Sequence, residues 1–262
     1  MMSDQPVLSI RNLKTYFYCR DQIVKAVDGI SLDARKGRIT ALVGGSGSGK
    51  SMTSLSVLNL IDSPGKIVEG EIRLNGVDLR SFDETRMRRI RGKEIAMIFQ
   101  EPASSLNPVL TVQRHLFEVL RTHNKSIEKK QALALFHNVL GRVGLSDTKT
   151  VLKSYPFELS GGMCQRVMVA MGLLARADVL IADEPTSSLD MTTQAAILRE
   201  LVRLRDEGMA IVLITHDLGV VAQAADDVYV MKGGKIVEYG TVFDIFETPR
   251  HEYTKSLISA IL

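Results

Sequence analysis

Gly44-Gly45-Ser46-Gly47-Ser48-Gly49-Lys50-Ser51 is the stretch whose residue types and spacing most plainly carry chemistry. It reads as Gly, four residues, then Gly-Lys-Ser. Glycines accept positive φ angles, so successive backbone N–H groups can converge on one anion. A helix starting beside Lys50 adds the positive end of its dipole. Lys50 can then meet β- and γ-phosphates, and Ser51 can hold Mg²⁺. The flanks agree with a nucleotide cradle. Ile39 to Val43 is apolar and β-branched, as in a buried strand, and Met52 to Leu60 has helical apolar spacing. A Gly/Ser linker would not join two such elements.

Other polar groups sit at strand ends. Val179-Leu180-Ile181-Ala182 runs into Asp183-Glu184, two carboxylates that are costly at an apolar strand end unless something binds them. Asp183 suits the Mg²⁺ water shell and Glu184 suits polarising an attacking water. Ala210 to Ile214 similarly leads to His216, placed for a γ-phosphate. Ser160-Gly161-Gly162 offers an N-cap and free N–H groups at a helix start, a second phosphate contact. Tyr16-Phe17-Tyr18 serves either strand packing or an adenine platform. His115, His123, His137 and His251 have no comparable placement and read as surface or packing residues.

The elements that must position these groups follow from periodicity. Val7 to Arg11, Ile23 to Leu32, Glu71 to Gly76 (ending in an Asn-Gly turn) and Glu94 to Phe99 read as strands. Pro102 should stop regular structure. Thr111 to Gly144 reads as helical, and Thr192 to Arg205 as a helix with Ala196, Leu198, Leu201 and Leu204 inward. Asp227 to Met231 and Lys235 to Tyr239 form a hairpin around Lys232-Gly233-Gly234, and the tail from Phe243 is helical. The fold class is α/β: an α/β core with an antiparallel β subdomain over residues 1–99 and 178–248, a helical subdomain over 100–177, and a helical tail over 249–262.

Composition narrows the function classes. The 262 residues are 45% apolar and 24% charged, with 33 basic against 30 acidic residues. A net charge of +3 gives no argument for nucleic acid. The densest basic run, Arg86 to Lys93, reads as a solvated helix face. Cys19 and Cys164 are distant and lack metal spacing. No signal-peptide pattern opens the chain, and Val167 to Ala175 is far short of the ~20 apolar residues of a membrane span.

Taken in order, these motifs resemble those of an ABC transporter ATPase, across nearly the whole chain. The Walker A loop is Gly44 to Ser51, the Q-loop residue is Gln100 and the signature is Leu159-Ser160-Gly161-Gly162. Walker B is Val179 to Asp183 followed by Glu184, the D-loop is Ser188-Leu189-Asp190, and the switch histidine is His216. The resemblance implies a P-loop fold in which Gln100 joins Ser51 and Asp183 around Mg²⁺ and acts with Glu184 and His216 in ATP hydrolysis. It implies a head-to-tail pair, with Ser160, Gly161, Gly162 and Asp190 serving the nucleotide across the interface. The adenine-stacking aromatic falls nearest Phe17, with Tyr16 and Tyr18 open.

Gln100-Glu101-Pro102, Ser104 to Pro108 and Pro249 to Thr254 are similar to the oligopeptide, dipeptide and nickel importers. Met163 stands where most family members have Gln. The short C-terminus, without a cysteine-containing extension, is most like the nickel-import subunit, with peptide import the alternative. The implied partners are a second ATPase chain, two membrane permeases and an extracytoplasmic solute-binding protein, and no nucleic acid. The implied location is the cytoplasmic face of the inner membrane. A soluble ABC protein acting on DNA or ribosomes would carry two cassettes or a long coiled coil. A regulator without turnover would lack Glu184.

Overall fold

The computed structural model describes residues 5–123 and 126–260. Residues 1–4, the last two residues and the His123 side chain, on which expectations also fell, lie outside the described residues. The first part of the chain forms β1 (Leu8–Tyr18), β2 (Ile23–Ala34), β3 (Ile39–Val43), α1 (Lys50–Val57), β4 (Gly65–Leu74), β5 (Val77–Asp78), α2 (Glu84–Ile90) and β6 (Ile95–Ile98). Five helices follow: α3 (Pro102–Ser105), α4 (Val112–His123), α5 (Lys129–Arg142), α6 (Thr148–Lys153) and α7 (Gly161–Ala175). The chain then returns to strands through β7 (Val179–Asp183), α8 (Met191–Asp206), β8 (Ala210–Thr215), α9 (Leu218–Ala224), β9 (Asp227–Lys232) and β10 (Lys235–Thr241), and ends in α10 (Val242–Glu247) and α11 (Glu252–Ser259).

Two sheets result. β2-β1-β4-β5 is antiparallel, and its Asn75-Gly76 turn has φ of 49° and 81°, the left-handed pair that a tight hairpin requires. The second sheet runs β10-β9-β3-β8-β7-β6, parallel throughout except for the edge pair β9–β10. Its central strands are buried on both faces, which explains their unbroken apolar runs. Leu180, Ala182, Ile211 and Leu213 point into one core with the helices, while Val179, Ile181, Val212 and Ile214 point into a second core beneath the antiparallel sheet. Between β6 and β7 the backbone is helical, centred on fully buried Phe136, whose ring meets Phe117 edge-on at 4.8 Å.

Several local expectations change. Pro102 opens α3 instead of ending structure, since its missing N–H is one that a first helical turn leaves unpaired anyway. Thr111 to Gly144 is two helices, and the tail is also two. On α8 Leu198, Leu201 and Leu204 are buried as expected, and Ile197 joins them in place of Ala196, which is only partly buried. The arginines of α2 are exposed, as a solvated face requires.

Candidate active site

Parallel pairing aligns the C-terminal ends of the central strands: Val43 lies opposite Thr215, Asp183 opposite Ile214 and Ile98 opposite Ala182. The glycine loop, Asp183-Glu184, His216 and Gln100 all emerge from this edge, where open α/β sheets bind ligands. All but Asp183 border a cleft of about 830 Å³ lined by Phe17, Gly45 to Ser51, Gln100, Glu184 and His216. Val24 to Ala26 of β2 and Gly233-Gly234 of the β9–β10 turn also line it.

The glycine loop is shaped by backbone that no side chain could share. Gly44 and Gly49 have φ of 157° and 105°, and a Cβ on either would fall 2.1 Å from a carbonyl oxygen, of Met231 and Ala26 respectively. Gly234 N–H donates to the Ser48 carbonyl at 2.9 Å, so the β9–β10 turn braces the loop. Lys50 is buried, and its Nζ donates to the carbonyls of Gly44 and Gly45 at 2.8 and 3.1 Å. Burial pushes its pKa down, against the pull of Glu184 and Asp183.

Beneath the cleft, Asp183 is 2% exposed and its Oδ1 has no hydrogen-bond partner. Burial, assisted by the Glu184 charge and opposed by Ser51 and Lys50, raises its pKa to about 6. An orphaned carboxylate oxygen beside a serine hydroxyl offers oxygen donors that fit a hard divalent cation, while the nearby ammonium suits a phosphate. Ser48 Oγ is likewise buried without a partner, as suits a phosphate oxygen. These observations fit a magnesium–nucleotide complex.

Glu184 is held in strained form. Its φ is 49°, a left-handed conformation that costs a non-glycine residue about 1–2 kcal/mol. Its N–H donates to Ile214 carbonyl at 2.9 Å, and its carbonyl accepts from Gln165 Nε2 at 3.3 Å. The carboxylate Oε1 meets His216 Nδ1 at 2.6 Å and accepts the His216 N–H at 3.1 Å, while Thr215 Oγ1 donates to Oε2 at 3.4 Å. A buried carboxylate is thus aimed at the cleft by two strands, and the exposed His216 ring stands over it.

Of the three aromatic candidates only Phe17 lines the cleft. Tyr16 donates to Asp28 Oδ1 at 2.5 Å and Tyr18 is exposed. Ser160 caps α7 by accepting the Met163 N–H, and Asp190 caps α8 by accepting the Thr193 N–H at 3.0 Å. Neither these two nor Gly161 and Gly162 line the cleft around the chain's own glycine loop. The other described histidines are structural: His115 bridges Asn107 N–H and Thr111 carbonyl, His137 meets Thr148 and His251 caps α11. Sequence reading missed Gln165, wholly buried, and Gly233-Gly234. The latter pair was visible only as a turn, and a lone glutamine inside a helix carries no local signal.

Comparison with known proteins gives the same picture. The sequence profile described as ABC transporter matches residues 27–187. The oligopeptide transport ATP-binding protein AppD of Bacillus subtilis (strain 168) is 49% identical, over 97% of this chain and 78% of the relative. The dipeptide transport ATP-binding protein DppD of Escherichia coli (strain K12) is 44% identical, again over 97% and 78%. The dimeric ATP-binding cassette MJ0796, solved in a post-hydrolysis state with ADP and Pi, superposes with a TM-score of 0.82 and 25% identity, covering 90% of this chain and 98% of that one. With these matches spanning most of its length, this chain belongs to the ABC transporter family as an ATP-binding subunit.

Proposed function

We propose that this chain is the ATP-hydrolysing subunit of an importer for peptides. The observation that carries the hydrolytic part is Glu184, strained, buried and pointed into the nucleotide cleft by His216 and Thr215. Structures store such strain at functional positions. The peptide part rests on the AppD and DppD relatives, which align over 97% of the chain and are named for oligopeptide and dipeptide transport. Neither relative is named for nickel, so the nickel expectation gives way to peptide import.

In this reading the N–H groups of Ser46 to Ser51 surround the β- and γ-phosphates and Phe17 stacks on the adenine. Ser51, Asp183 and Gln100 hold Mg²⁺, which when bound neutralises charge on the phosphate oxygens. Lys50 exchanges its two loop carbonyls for phosphate oxygens. His216 moves from Glu184 to the γ-phosphate, leaving Glu184 free to accept a proton from the attacking water. Ser160, Gly161, Gly162 and Asp190 face the nucleotide of a second ATPase subunit, so charge stabilisation is complete only in the closed pair. Residues 100–177 act as the helical subdomain that meets two membrane permeases fed by a solute-binding protein, and the chain sits peripherally on the inner membrane's cytoplasmic face. No described helix is long and apolar enough to cross a membrane.

Uptake of a radiolabelled dipeptide and of ⁶³Ni²⁺, with the gene deleted and restored, tests the substrate class. Loss of dipeptide uptake alone is expected; loss of nickel uptake alone would refute the peptide reading.

A further inference from the structure

The segment Pro249 to Thr254, singled out by sequence, has no part in the chemistry above. Its place in the fold gives it one. Tyr253 Oη accepts the N–H of Gly45 at 2.9 Å, across 208 residues of sequence. A Cβ on Gly45 would stand 3.1 Å from that oxygen, closer than ordinary van der Waals contact. The ring of Tyr253 lies under the Lys232 ammonium at 4.6 Å. Lys232 immediately precedes the Gly233-Gly234 turn that braces Ser48 from the other side.

The tyrosine is itself held in place. The backbone N–H groups of Arg250 and His251 donate to the Glu238 carboxylate of β10 at 2.7 and 3.0 Å. His251 Nδ1 accepts the Tyr253 N–H at 3.1 Å, and Thr254 is buried. The start of α11 is therefore clamped to the sheet, with the tyrosine side chain aimed at the glycine loop. Among the described residues, no other side chain is recorded donating to or accepting from a Gly45 backbone group except Lys50.

We infer that the C-terminal segment is part of the nucleotide site, and that Tyr253 is a positioning residue for the phosphate loop. Glycine-rich backbone loses much conformational freedom when it orders around an anion. A hydrogen bond that fixes the Gly45 peptide in advance removes part of that loss, so affinity for nucleotide rises. Because coupling between binding events is reciprocal, nucleotide in the loop also tightens the docking of α11. This inference is independent of the transported solute.

A double-mutant cycle on the full chain tests it, read by equilibrium binding of ATP. Tyr253→Phe keeps the ring, its packing and its contact with Lys232 while deleting the hydroxyl. It should weaken ATP binding by about 3- to 10-fold. Gly45→Ala should weaken binding in the parent, where the new methyl meets the hydroxyl, and weaken it less in the Tyr253→Phe background. Unchanged affinity in Tyr253→Phe, or strictly additive effects of the two substitutions, would overturn the proposal. Hydrogen exchange supplies a second readout that a purely structural tyrosine would not move. Amides of residues 252–259 should gain protection on addition of ATP in the parent and not in Tyr253→Phe. Protection indifferent to nucleotide in the parent would contradict the linkage.

Discussion

Asp183 concentrates the conflict between stability and function at a single carboxylate. Its burial raises its pKa to about 6, so the folded chain binds that proton more tightly than the unfolded chain, where the value is near 3.8. The folded state is thus favoured by this group below 3.8, loses that advantage as pH rises to about 6, and carries the full cost above it. A shift of this size corresponds to roughly 3 kcal/mol at neutral pH. Asp183→Asn should therefore stabilise the nucleotide-free chain above pH 6, seen as a higher urea midpoint, while weakening Mg²⁺-dependent ATP binding. A lower midpoint would contradict the burial account. The identity of this residue was legible in sequence, because a carboxylate ending an apolar strand is anomalous. The left-handed backbone of Glu184 was not, since nothing in the residues around it favours positive φ; it is imposed by hydrogen bonds to β8 and α7.

Elements explain how such a conformation persists. The first turns of α7 carry Ser160 to Gly162 outward and Gln165 inward, where its amide holds the Glu184 carbonyl. Gly162 packs beside the 188–189 loop, with a Cβ there meeting Ser188 carbonyl at 3.4 Å. One helix thus offers its N-terminus to the surface and supports the Glu184 backbone from below. Gln165→Met, close in size, should lower kcat by about 10- to 100-fold through misplacement of Glu184, with ATP affinity within about twofold of the parent. A normal kcat would remove Gln165 from the account. Strand positions and the glycine loop were legible because periodicity and loop chemistry are local signals. Phe17 was narrowed only by the fold, which aims Tyr16 at Asp28 and leaves Tyr18 exposed. The contacts of Gln165 and Tyr253 join residues 19 and 208 positions apart, and no local pattern encodes such pairs. On α8 periodicity places Leu198, Leu201 and Leu204 correctly, while packing against its neighbours selects Ile197 over Ala196.

At the scale of the whole molecule, two cores on opposite faces of one sheet leave the sheet's C-terminal edge free for the nucleotide. That edge supplies the phosphate loop, Asp183, Glu184, His216 and Gln100, but not Ser160, Gly161, Gly162 or Asp190. In the proposed assembly the chain carries half of each of two sites, a reading that the dimeric cassette MJ0796 supports. In the proposed pair, Ser160 serves a nucleotide bound by another subunit. ATP hydrolysis by the assembled transporter carrying Ser160→Arg in this chain tests it, with the isolated variant's ATP affinity as the reference. Hydrolysis should fall by at least about 100-fold while the isolated chain binds ATP as the parent does. Undiminished hydrolysis, or loss of ATP binding by the isolated variant, would contradict it.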